Sequence, residues 1–479
     1  MHLFFIGNKI FCKTKCDMVS YVKTVFQELL SMKNFTVANA AMACGAEIYG
    51  NVHEDTPIGE IIIDSRLVKP GDIFVAYKGE RVDGHDYIAT AFDKGAVCCL
   101  AQRVPEGVDG CVLVVDDVQS ALEEIAAAYR EYIDIPIVGI TGSVGKTTAK
   151  EMISAVLSRR FNVLKTDKNL NNQIGVPMTL SRIGEQHQAA VVEMGISGFG
   201  EMTVLAKMVR PTVAVFTYIG HAHLEFLHDL EGVFRAKTEM LPFVAEDGVV
   251  VVNGDDALLN RVSCPQRVIR YGMGEHCDVR AENVSVRNDG TIDCEIVFDA
   301  QRLPVHIPSY GQHMVYAALE GAAVGIAMGL SADEIKEGIA EYKTVGRRGA
   351  VTDTGKILLV DDCYNSNPDS LKCAMDSLTL LPGRHVCVLS DMLEQGENAA
   401  QIHRDAGLYA AGKGVELLVA YGPLSAHSCE AMGERGVHFE TKQQLLEALP
   451  GLIREGDSVL VKASLGMHLE DASELLKTL

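Results

Sequence analysis

The sequence predicts an α/β fold with three domains: a small α/β N-terminal domain, a central domain with a parallel sheet and a P-loop, and a C-terminal Rossmann-like domain. The chain has 479 residues, of which 48% are hydrophobic, and this is enough for about three cores. Apolar strand-like runs alternate with helical stretches through the central and C-terminal thirds. A glycine-rich turn, TGSVGKTT, follows the first apolar run of the central third.

Composition excludes several classes of protein. The formal charge of −21 argues against a nucleic-acid partner or a membrane surface. No apolar run reaches the roughly 18 residues of a membrane span, so no membrane insertion is expected. The thirteen cysteines include no CxxC pair, which favours a reducing, cytoplasmic location over a disulfide framework.

Residues 1–33 form an extension of unknown role. An apolar start is followed by Lys13 and Lys15, whereas a signal peptide places its basic residues first. A poorly ordered tail and a misassigned start are equally open interpretations.

Residues 34–134 predict the small α/β domain. A short helix ends near Gly45, and strand-like runs follow at 61–63, 73–77, 96–101 and 111–115. Four polar residues lie at strand ends and turns, where binding residues concentrate: Ser65, Arg66, Lys78 and His85. Together they suggest a pocket for an anionic, sugar-like group, although turn and capping chemistry is an equally good explanation for each residue alone.

The stretch from Ile137 to Thr148 organises the central domain, 135–345. Its apolar run predicts a buried strand, and Gly142 and Gly145 allow the backbone N–H groups to point at an anion. Lys146 adds positive charge, and the Thr147 hydroxyl can hold Mg²⁺. The motif is shorter than the general P-loop pattern because Ile140 occupies the position of the first glycine. An ordinary glycine turn is the alternative.

Polar residues also follow the other central strand-like runs, at the sheet edge where ligands of parallel sheets bind. Glu193 ends the run 189–192, and His221 and His223 follow the run 212–217. A carboxylate and a histidine there could complete a Mg²⁺ site. Asn172 lies in a polar turn, and Asn253 is a candidate nucleotide contact. A lone histidine is more often a surface residue.

Residues 346–479 predict a second doubly wound unit without its own phosphate loop. Buried runs at 357–360, 386–389, 417–420 and 459–461 alternate with helical stretches. Polar loops follow the first two runs, at 361–368 and 391–397, and face a predicted cleft. Arg347 at the boundary could reach a γ-phosphate, since a guanidinium suits forked phosphate contacts.

Five segments together resemble the Mur ligases, the ATP-dependent ligases of bacterial peptidoglycan synthesis. The first, DSRLVKPGDIFVAYKGERVDGHDYI, resembles a uridine-nucleotide-binding domain shared by two members. The other four, TGSVGKTTAKE, KNLNNQIGVP, AHLEF and YNSNPDS, resemble the member that adds D-alanyl-D-alanine. The resemblance implies that UDP-N-acetylmuramoyl-tripeptide and D-alanyl-D-alanine are the substrates, with ATP and Mg²⁺ as cofactors, and that the enzyme is a monomer.

The resemblance also implies roles for individual residues. ATP would contact Gly142, Ser143, Val144, Gly145, Lys146, Thr147, Thr148, Asn172, Asn253, Arg347 and Asp362. Metal ligands would be Thr147, Glu193, His223 and Lys237, the last at the position carbamylated in relatives. Catalysis would use Lys146, His223, Lys237 and Arg347, and substrates would contact Ser65, Arg66, Lys78, Asp83, His85, Asn365 and Asn367.

The chain departs from the family pattern in two places. Val144 replaces a small polar residue of the phosphate loop, and Lys462–Gly466 lacks the glycine and arginine of a KGSR motif. Two alternatives therefore stay open: another amide ligase of the superfamily, such as a polyglutamate-adding synthetase, and a nucleotide-binding homologue without turnover.

Overall fold

The computed structural model describes Met32 and residues 34–53, 55–79, 82–287 and 289–479. The predicted extension, apart from Met32, lies outside the described residues. Within these ranges, no helix combines the length and the apolar character that crossing a bilayer requires.

The described residues form twenty strands and fifteen α-helices. The strands are β1 Glu47–Tyr49, β2 Ile61–Ile62, β3 Ile73–Val75, β4 Cys98–Ala101, β5 Val112–Val114, β6 Ile137–Thr141, β7 Val163–Lys165, β8 Ala189–Glu193, β9 Val213–Phe216, β10 Val249–Asn253, β11 Arg267–Gly272, β12 Val279–Val286, β13 Ile292–Phe298, β14 Gln301–Ile307, β15 Ala350–Asp353, β16 Leu358–Asp362, β17 His385–Ser390, β18 Leu417–Tyr421, β19 Gly436–Phe439 and β20 Ser458–Lys462. The helices are α1 Val37–Cys44, α2 Ile88–Asp93, α3 Val118–Arg130, α4 Lys146–Leu157, α5 Gly175–Ser181, α6 Glu201–Val209, α7 Leu224–Leu227, α8 Leu230–Thr238, α9 His313–Ala327, α10 Ala332–Ala340, α11 Pro368–Leu378, α12 Ala399–Gly412, α13 Ala426–Met432, α14 Lys442–Leu452 and α15 Glu470–Leu476.

These strands build three sheets, which confirms the predicted α/β fold class. The first has five strands in the order β1-β5-β4-β3-β2, with β1 antiparallel to β5. The second has nine strands in the order β14-β13-β12-β11-β10-β9-β6-β8-β7, and the third has six in the order β15-β16-β20-β17-β18-β19. In the third sheet β16, β20, β17, β18 and β19 run parallel, and β15 is an antiparallel edge.

The C-terminal sheet is buried on both faces, as a doubly wound sheet requires. Alternate residues of one strand enter two separate cores. Cys387 and Leu389 belong to the core with α11 and α12, whereas Val386 and Val388 belong to the core with α14 and α15. The four inner strands β16, β17, β18 and β20 therefore read as continuous apolar runs, which is why they could be predicted, whereas the edge strands β15 and β19 are partly exposed.

The described chain divides into two compact units. The first lies within Met1–Ile137, Asn162–Met194 and Thr203–Arg210, and the second within Val138–Phe161, Gly195–Met202 and Pro211–Leu479. In the first unit, the N-terminal sheet has an apolar core that includes Phe74 and Val112. In the second unit, α4 has a fully buried face that includes Ile153 and Val156, and it packs on α9 and α10.

The nine-stranded sheet has an antiparallel edge that the sequence analysis missed. Strands β12, β13 and β14 pair antiparallel, with β11 parallel to β12 on the other side. Burial alternates along β13, from Ile292 through Cys294 to Ile296, and the residues between are partly exposed. One face of this edge is therefore solvated, so its strands lack the continuous apolar run by which the others were recognised. Strands β1, β7, β11, β15 and β19 were also missed.

Candidate nucleotide and metal site

The glycine-rich turn between β6 and α4 is held by the segment that follows β9. The Ser143 N–H donates to the Tyr218 carbonyl at 2.8 Å, and the Ser143 hydroxyl donates to the Gly220 carbonyl at 3.0 Å. The Thr217 hydroxyl donates to the Val144 carbonyl at 2.5 Å. These contacts, which include the Ser143 N–H itself, fix the turn from one side between β6 and α4.

Two glycines allow this conformation. A Cβ on Gly142 would lie 1.9 Å from the Thr217 hydroxyl oxygen, so no larger residue fits without displacing Thr217. Gly145 has φ of 85° and precedes the first residue of α4. An L-residue pays about 1–2 kcal/mol for such a left-handed conformation. The helix that starts here has twelve residues, and its N-terminal dipole favours a bound anion.

The side chains after the turn suit a phosphate and a cation. Lys146 folds back so that its ammonium donates to the Gly142 carbonyl at 2.7 Å. The charge therefore sits beside the loop rather than in solvent. Thr147 is buried and Thr148 is half-buried at the first turn of α4.

The two histidines after β9 contact carboxylates of the C-terminal domain that the sequence analysis did not single out. The His221 N–H donates to Asp369 Oδ2 at 2.8 Å, and His221 Nδ1 lies 3.1 Å from the same oxygen. His223 Nδ1 lies 3.1 Å from Glu394 Oε2. Asp369 is in the first turn of α11, and Glu394 is in the polar loop after β17.

His223 has the properties of a neutral imidazole ligand. Its φ is 54°, an uncommon value for a residue with a side chain. Desolvation lowers the pKa of His223, and Lys237 and Lys146 lower it further, while Glu394 acts in the opposite direction. A metal takes the neutral ring, whose lone pair is available.

Lys237 on α8 is a buried lysine, with an exposed fraction of 1%. Burial lowers its pKa well below 10.5, Lys146 lowers it further, and Glu201 opposes both effects. The environment therefore favours the neutral amine. A neutral amine is the form that reacts with CO₂ to give a carbamate, whereas an ammonium has no lone pair.

The loop after β10 supports the same segment from another side. The Asn253 amide donates to the Thr217 carbonyl at 3.2 Å, and its oxygen accepts from the Asp255 N–H at 3.0 Å. Asp256 accepts from the Ile219 N–H at 2.7 Å. The backbone of residues 217–219 is thus hydrogen-bonded to both the glycine-rich turn and this loop. The sequence alone did not reveal this support.

The predicted C-terminal residues are tied to one another. Arg347 donates to Asp361 at 2.9 Å and to Glu474 at 2.6 Å. The buried Lys462 ammonium donates to Asp362 at 2.6 Å and to the Asn365 carbonyl at 3.0 Å. The altered Lys462–Gly466 segment therefore keeps a lysine that orients the loop after β16.

Asn367 has a structural role that its sequence context explains. Its side-chain oxygen accepts from the Ser370 N–H at 2.8 Å, and Pro368 is the first residue of α11. Asparagine before a helix that opens with proline is a typical N-cap. The cap aims the start of α11, and with it Asp369, at His221.

In the first unit, the side chains of Glu193 and Asn172 are each held by a hydrogen bond. Glu193 is buried at the end of β8, where its carboxylate accepts from the Asn171 amide at 2.8 Å. The Asn172 side-chain oxygen accepts from the Gly175 N–H at 2.9 Å at the start of α5. The turn that contains Asn171 and Asn172 thus orients both side chains.

The N-terminal candidates fall into two groups. His85 is buried; its Nδ1 lies 2.6 Å from Asp83, and its Nε2 accepts from the Gln102 N–H at 3.1 Å. This fixes the tautomer, with the proton on Nδ1. Asp83 also pairs with Arg103 at 2.8 Å, and that guanidinium, with the His85 contacts, lowers the pKa of Asp83.

The second group is more open to solvent. Arg66 is highly exposed and pairs with Asp64 at 2.7 Å, which lowers the pKa of that carboxyl to about 2. Lys78 is exposed and forms an isolated backbone bridge with Asp83, whereas Ser65 is buried. The backbone bridge between Lys78 and Asp83 therefore brings Lys78 close to the Asp83–His85 pair.

Three domain families match the chain in order. The Mur ligase family catalytic domain matches residues 57–137, the Mur ligase middle domain matches 140–325, and the Mur ligase glutamate ligase domain matches 346–465.

Individual relatives match nearly the whole chain. The UDP-N-acetylmuramoyl-tripeptide--D-alanyl-D-alanine ligase of Bacillus subtilis is 35% identical over 448 residues, which are 91% of this chain and 97% of the relative. A crystal structure of MurF from Acinetobacter baumannii superposes with a TM-score of 0.87 at 31% identity, covering 93% of this chain and 99% of that one. The MurF ligase of Thermotoga maritima in complex with ADP has a TM-score of 0.79 at 26% identity, with 88% and 97% covered. The chain belongs to the Mur ligase family.

Proposed function

We propose that this chain joins D-alanyl-D-alanine to UDP-N-acetylmuramoyl-tripeptide, coupled to cleavage of ATP to ADP and phosphate, in peptidoglycan synthesis. The observation that carries the proposal is the 35% identity to a ligase of that name along almost the whole of both chains. The P-loop, with its lysine and threonine at the start of α4, supplies the nucleotide chemistry that such a reaction needs.

The nucleotide phosphates occupy the turn from Gly142 to Gly145 and the start of α4. Backbone N–H groups of the turn, with Ser143 and Val144, cradle them, and Lys146 moves from the Gly142 carbonyl to a phosphate oxygen. Thr147 and Thr148 contact phosphate and cation at the helix start. We assign Asn172 to a phosphate and Asn253 to the base or ribose, by their match to the family motifs.

The residue types fit Mg²⁺. We assign Thr147, Glu193, His223 and Lys237 as its ligands by their match to the family motifs. Burial, which lowers the pKa of both His223 and Lys237, supports the assignment. Carbamylation turns Lys237 into an anionic oxygen donor, the ligand type that Mg²⁺ prefers. When bound, Mg²⁺ neutralises charge on the transferring phosphoryl group.

The C-terminal residues complete the site in this proposal. Arg347 leaves Asp361 and Glu474 to contact the γ-phosphate, and Asp362 contacts the nucleotide. Asn365 and Asn367 contact the peptide substrate, held by Lys462 and by the N-cap of α11. In the present structure the His221–Asp369 and His223–Glu394 contacts join residues of the proposed central and C-terminal domains.

The N-terminal residues bind the uridine nucleotide. Arg66 and Lys78 supply exposed positive charge for its diphosphate, and Ser65 supplies a hydroxyl. Asp83 and His85 shape the same turn, since their mutual contacts fix both side chains.

The chemistry follows from these roles. An oxygen of the tripeptide carboxylate attacks the γ-phosphorus, the bond to the β–γ bridging oxygen breaks, and ADP leaves. The resulting acyl phosphate is attacked by the free amine of the dipeptide, the C–O bond to phosphate breaks, and the amine loses a proton. Lys146 and Arg347 stabilise the charge that develops during phosphoryl transfer. Water must be excluded because it would hydrolyse the acyl phosphate.

We further propose the domain bounds 34–134, 135–345 and 346–479, a monomeric state and a cytoplasmic location. Each proposed domain contains all the strands of one sheet: β1–β5, β6–β14 and β15–β20. Location follows from the substrates, since UDP-linked precursors and ATP belong to the cytoplasm.

The test is ADP release by the full chain with UDP-N-acetylmuramoyl-tripeptides that carry lysine or diaminopimelate third. We expect ADP release to require both a tripeptide nucleotide and D-alanyl-D-alanine. We expect Lys146→Ala to abolish it, and Lys207→Ala, a control on an exposed helix face, to leave it intact. Turnover with glutamate in place of the dipeptide would identify a polyglutamate-type ligase. ATP binding without any product would identify a homologue without turnover.

A further inference from the structure

A second group of metal-ligating side chains lies away from the phosphate loop. Asp255 follows β10, and His276 and Cys277 lie between β11 and β12. Each offers one ligand atom, and these atoms lie within 4.8 Å of one another. The Cys277 sulfur and Asp255 Oδ1 are 4.0 Å apart. Cys277 is buried, while Asp255 and His276 reach the surface, so an ion can enter from solvent.

Three glycines make room for these side chains to converge. A Cβ on Gly254 would lie 2.6 Å from the Cys277 sulfur, and a Cβ on Gly272 would lie 2.6 Å from Asp255 Oδ2. A Cβ on Gly274 would lie 2.7 Å from His276 Nδ1 and 2.9 Å from Asp255 Oδ1. The space that these glycines leave is therefore bounded by ligand atoms.

Hydrogen bonds orient the ligands as in a built metal site. His276 Nε2 lies 2.9 Å from the Gly254 carbonyl, which can only accept, so Nε2 carries the proton and Nδ1 keeps its lone pair. Metal-binding histidines typically donate their other ring N–H in this way. Asp255 is fixed by the Met273 N–H at 2.6 Å and by the Tyr316 hydroxyl at 3.0 Å.

We propose that Asp255, His276 and Cys277 form a binding site for Zn²⁺ or a similar borderline transition-metal ion, with water as the fourth ligand. A thiolate with an imidazole selects such ions over Mg²⁺, which prefers oxygen. Tetrahedral Zn²⁺ with these donors needs ligand separations of about 3.3–3.6 Å. The sulfur–oxygen pair, 4.0 Å apart, must close by a few tenths of an ångström. The ligand atoms lie within 4.8 Å of one another, so the His276 nitrogen needs a shift of at most about 1.5 Å. The thiol proton is released to solvent when sulfur bonds the ion.

The site is tested on the full chain, stripped with a chelator and titrated with Zn²⁺ by calorimetry in excess Mg²⁺. We expect one equivalent to bind, with affinity reduced more than about 100-fold in Cys277→Ser and in His276→Ala. Cys373→Ser is the matched control, because this exposed cysteine lies outside the cluster. Circular dichroism shows whether each variant is folded. If the buried change Cys277→Ser prevents folding, His276→Ala still tests the site, because His276 lies at the surface.

Co²⁺ serves as a spectroscopic probe of the same site. The complex should show sulfur-to-cobalt charge-transfer absorption that is lost in Cys277→Ser and kept in Cys373→Ser. Unchanged Zn²⁺ affinity in a folded His276→Ala variant, or a cobalt complex without the thiolate band, would overturn the proposal. Neither readout depends on ligase activity. The proposed function can therefore be refuted while the metal site is confirmed, and the metal site can be refuted while the proposed function is confirmed.

Discussion

The closest contact in the glycine-rich turn yields a quantitative prediction for Gly142→Ala. The added Cβ would meet the Thr217 hydroxyl oxygen at 1.9 Å, whereas an ordinary contact needs 3.4–4 Å. Thr217 must therefore rotate away and lose its hydrogen bond to Val144. We therefore expect Thr217→Ala to weaken ATP binding much less in the Gly142→Ala background than in the wild type.

The magnitudes follow from two effects. Overpacking costs about 1–3 kcal/mol, and a lost hydrogen bond costs about 0.5–1.5 kcal/mol. Together the two effects cost roughly 2–4 kcal/mol. If this energy is lost from the nucleotide-bound form of the turn, ATP binding weakens by about 30- to 1,000-fold. Thr217→Ala alone loses only the hydrogen bond, which corresponds to roughly 2- to 10-fold.

The assay is ATP affinity by calorimetry for the two single variants and the double variant. We expect the double variant to bind as Gly142→Ala does, or more tightly, because the clash is gone and the hydrogen bond is lost only once. Gly145→Ala is the control: its Cβ would approach no atom closer than 3.8 Å, so its backbone strain should add independently to Thr217→Ala. Additive losses for Gly142→Ala and Thr217→Ala would refute the steric argument.

Three further predictions concern other parts of the second unit. Burial raises the pKa of Glu320 from 4.5 to about 8, so the unfolded chain loses this proton at lower pH than the fold does, and stability falls as pH rises from about 4.5 to 8. Glu320→Gln, which can still accept from Tyr271, should gain stability over the wild type across that window, by a few kcal/mol at most, in thermal melts; a pH-independent difference would contradict this. Removal of CO₂ should lower wild-type turnover and bicarbonate should restore it, whereas a folded Lys237→Gln variant should not respond; a wild type indifferent to CO₂ would exclude the carbamate. Gly338→Ala places a Cβ 2.4 Å from the Val156 Cα and should cost roughly 1–3 kcal/mol of stability, against little change in Gly412→Ala, where nothing lies within 4 Å.

Local signals account for the parts of the fold that could be predicted. The strand–turn–helix at residues 137–157 is encoded by an apolar run, two glycines and a helix with a buried face, all within some twenty residues. The four inner C-terminal strands, β16, β17, β18 and β20, are buried on both faces, so their apolar runs stand out. Strands of the antiparallel edge alternate apolar and polar residues and carry charges such as Glu282 and Arg302, which the search for apolar runs passed over.

The candidate site was predictable one loop at a time. Strand ends gave His223, Asn253 and the loop after β16, because ligands gather at that edge of a parallel sheet. The partners of these residues were not predictable, since Asp369 lies 148 residues from His221 and no local pattern links them. The N-cap role of Asn367 could have been found from the Asn-Pro pair before the helix.

In the proposed mechanism, ATP activates the tripeptide carboxylate as an acyl phosphate. Tripeptide nucleotide labelled with ¹⁸O in that carboxylate tests it most directly, by mass spectrometry of the inorganic phosphate released with D-alanyl-D-alanine present. The mechanism requires the attacking oxygen to leave with the phosphoryl group, so each phosphate should carry one ¹⁸O when both carboxylate oxygens are labelled. Ligation that releases only unlabelled phosphate would contradict the mechanism.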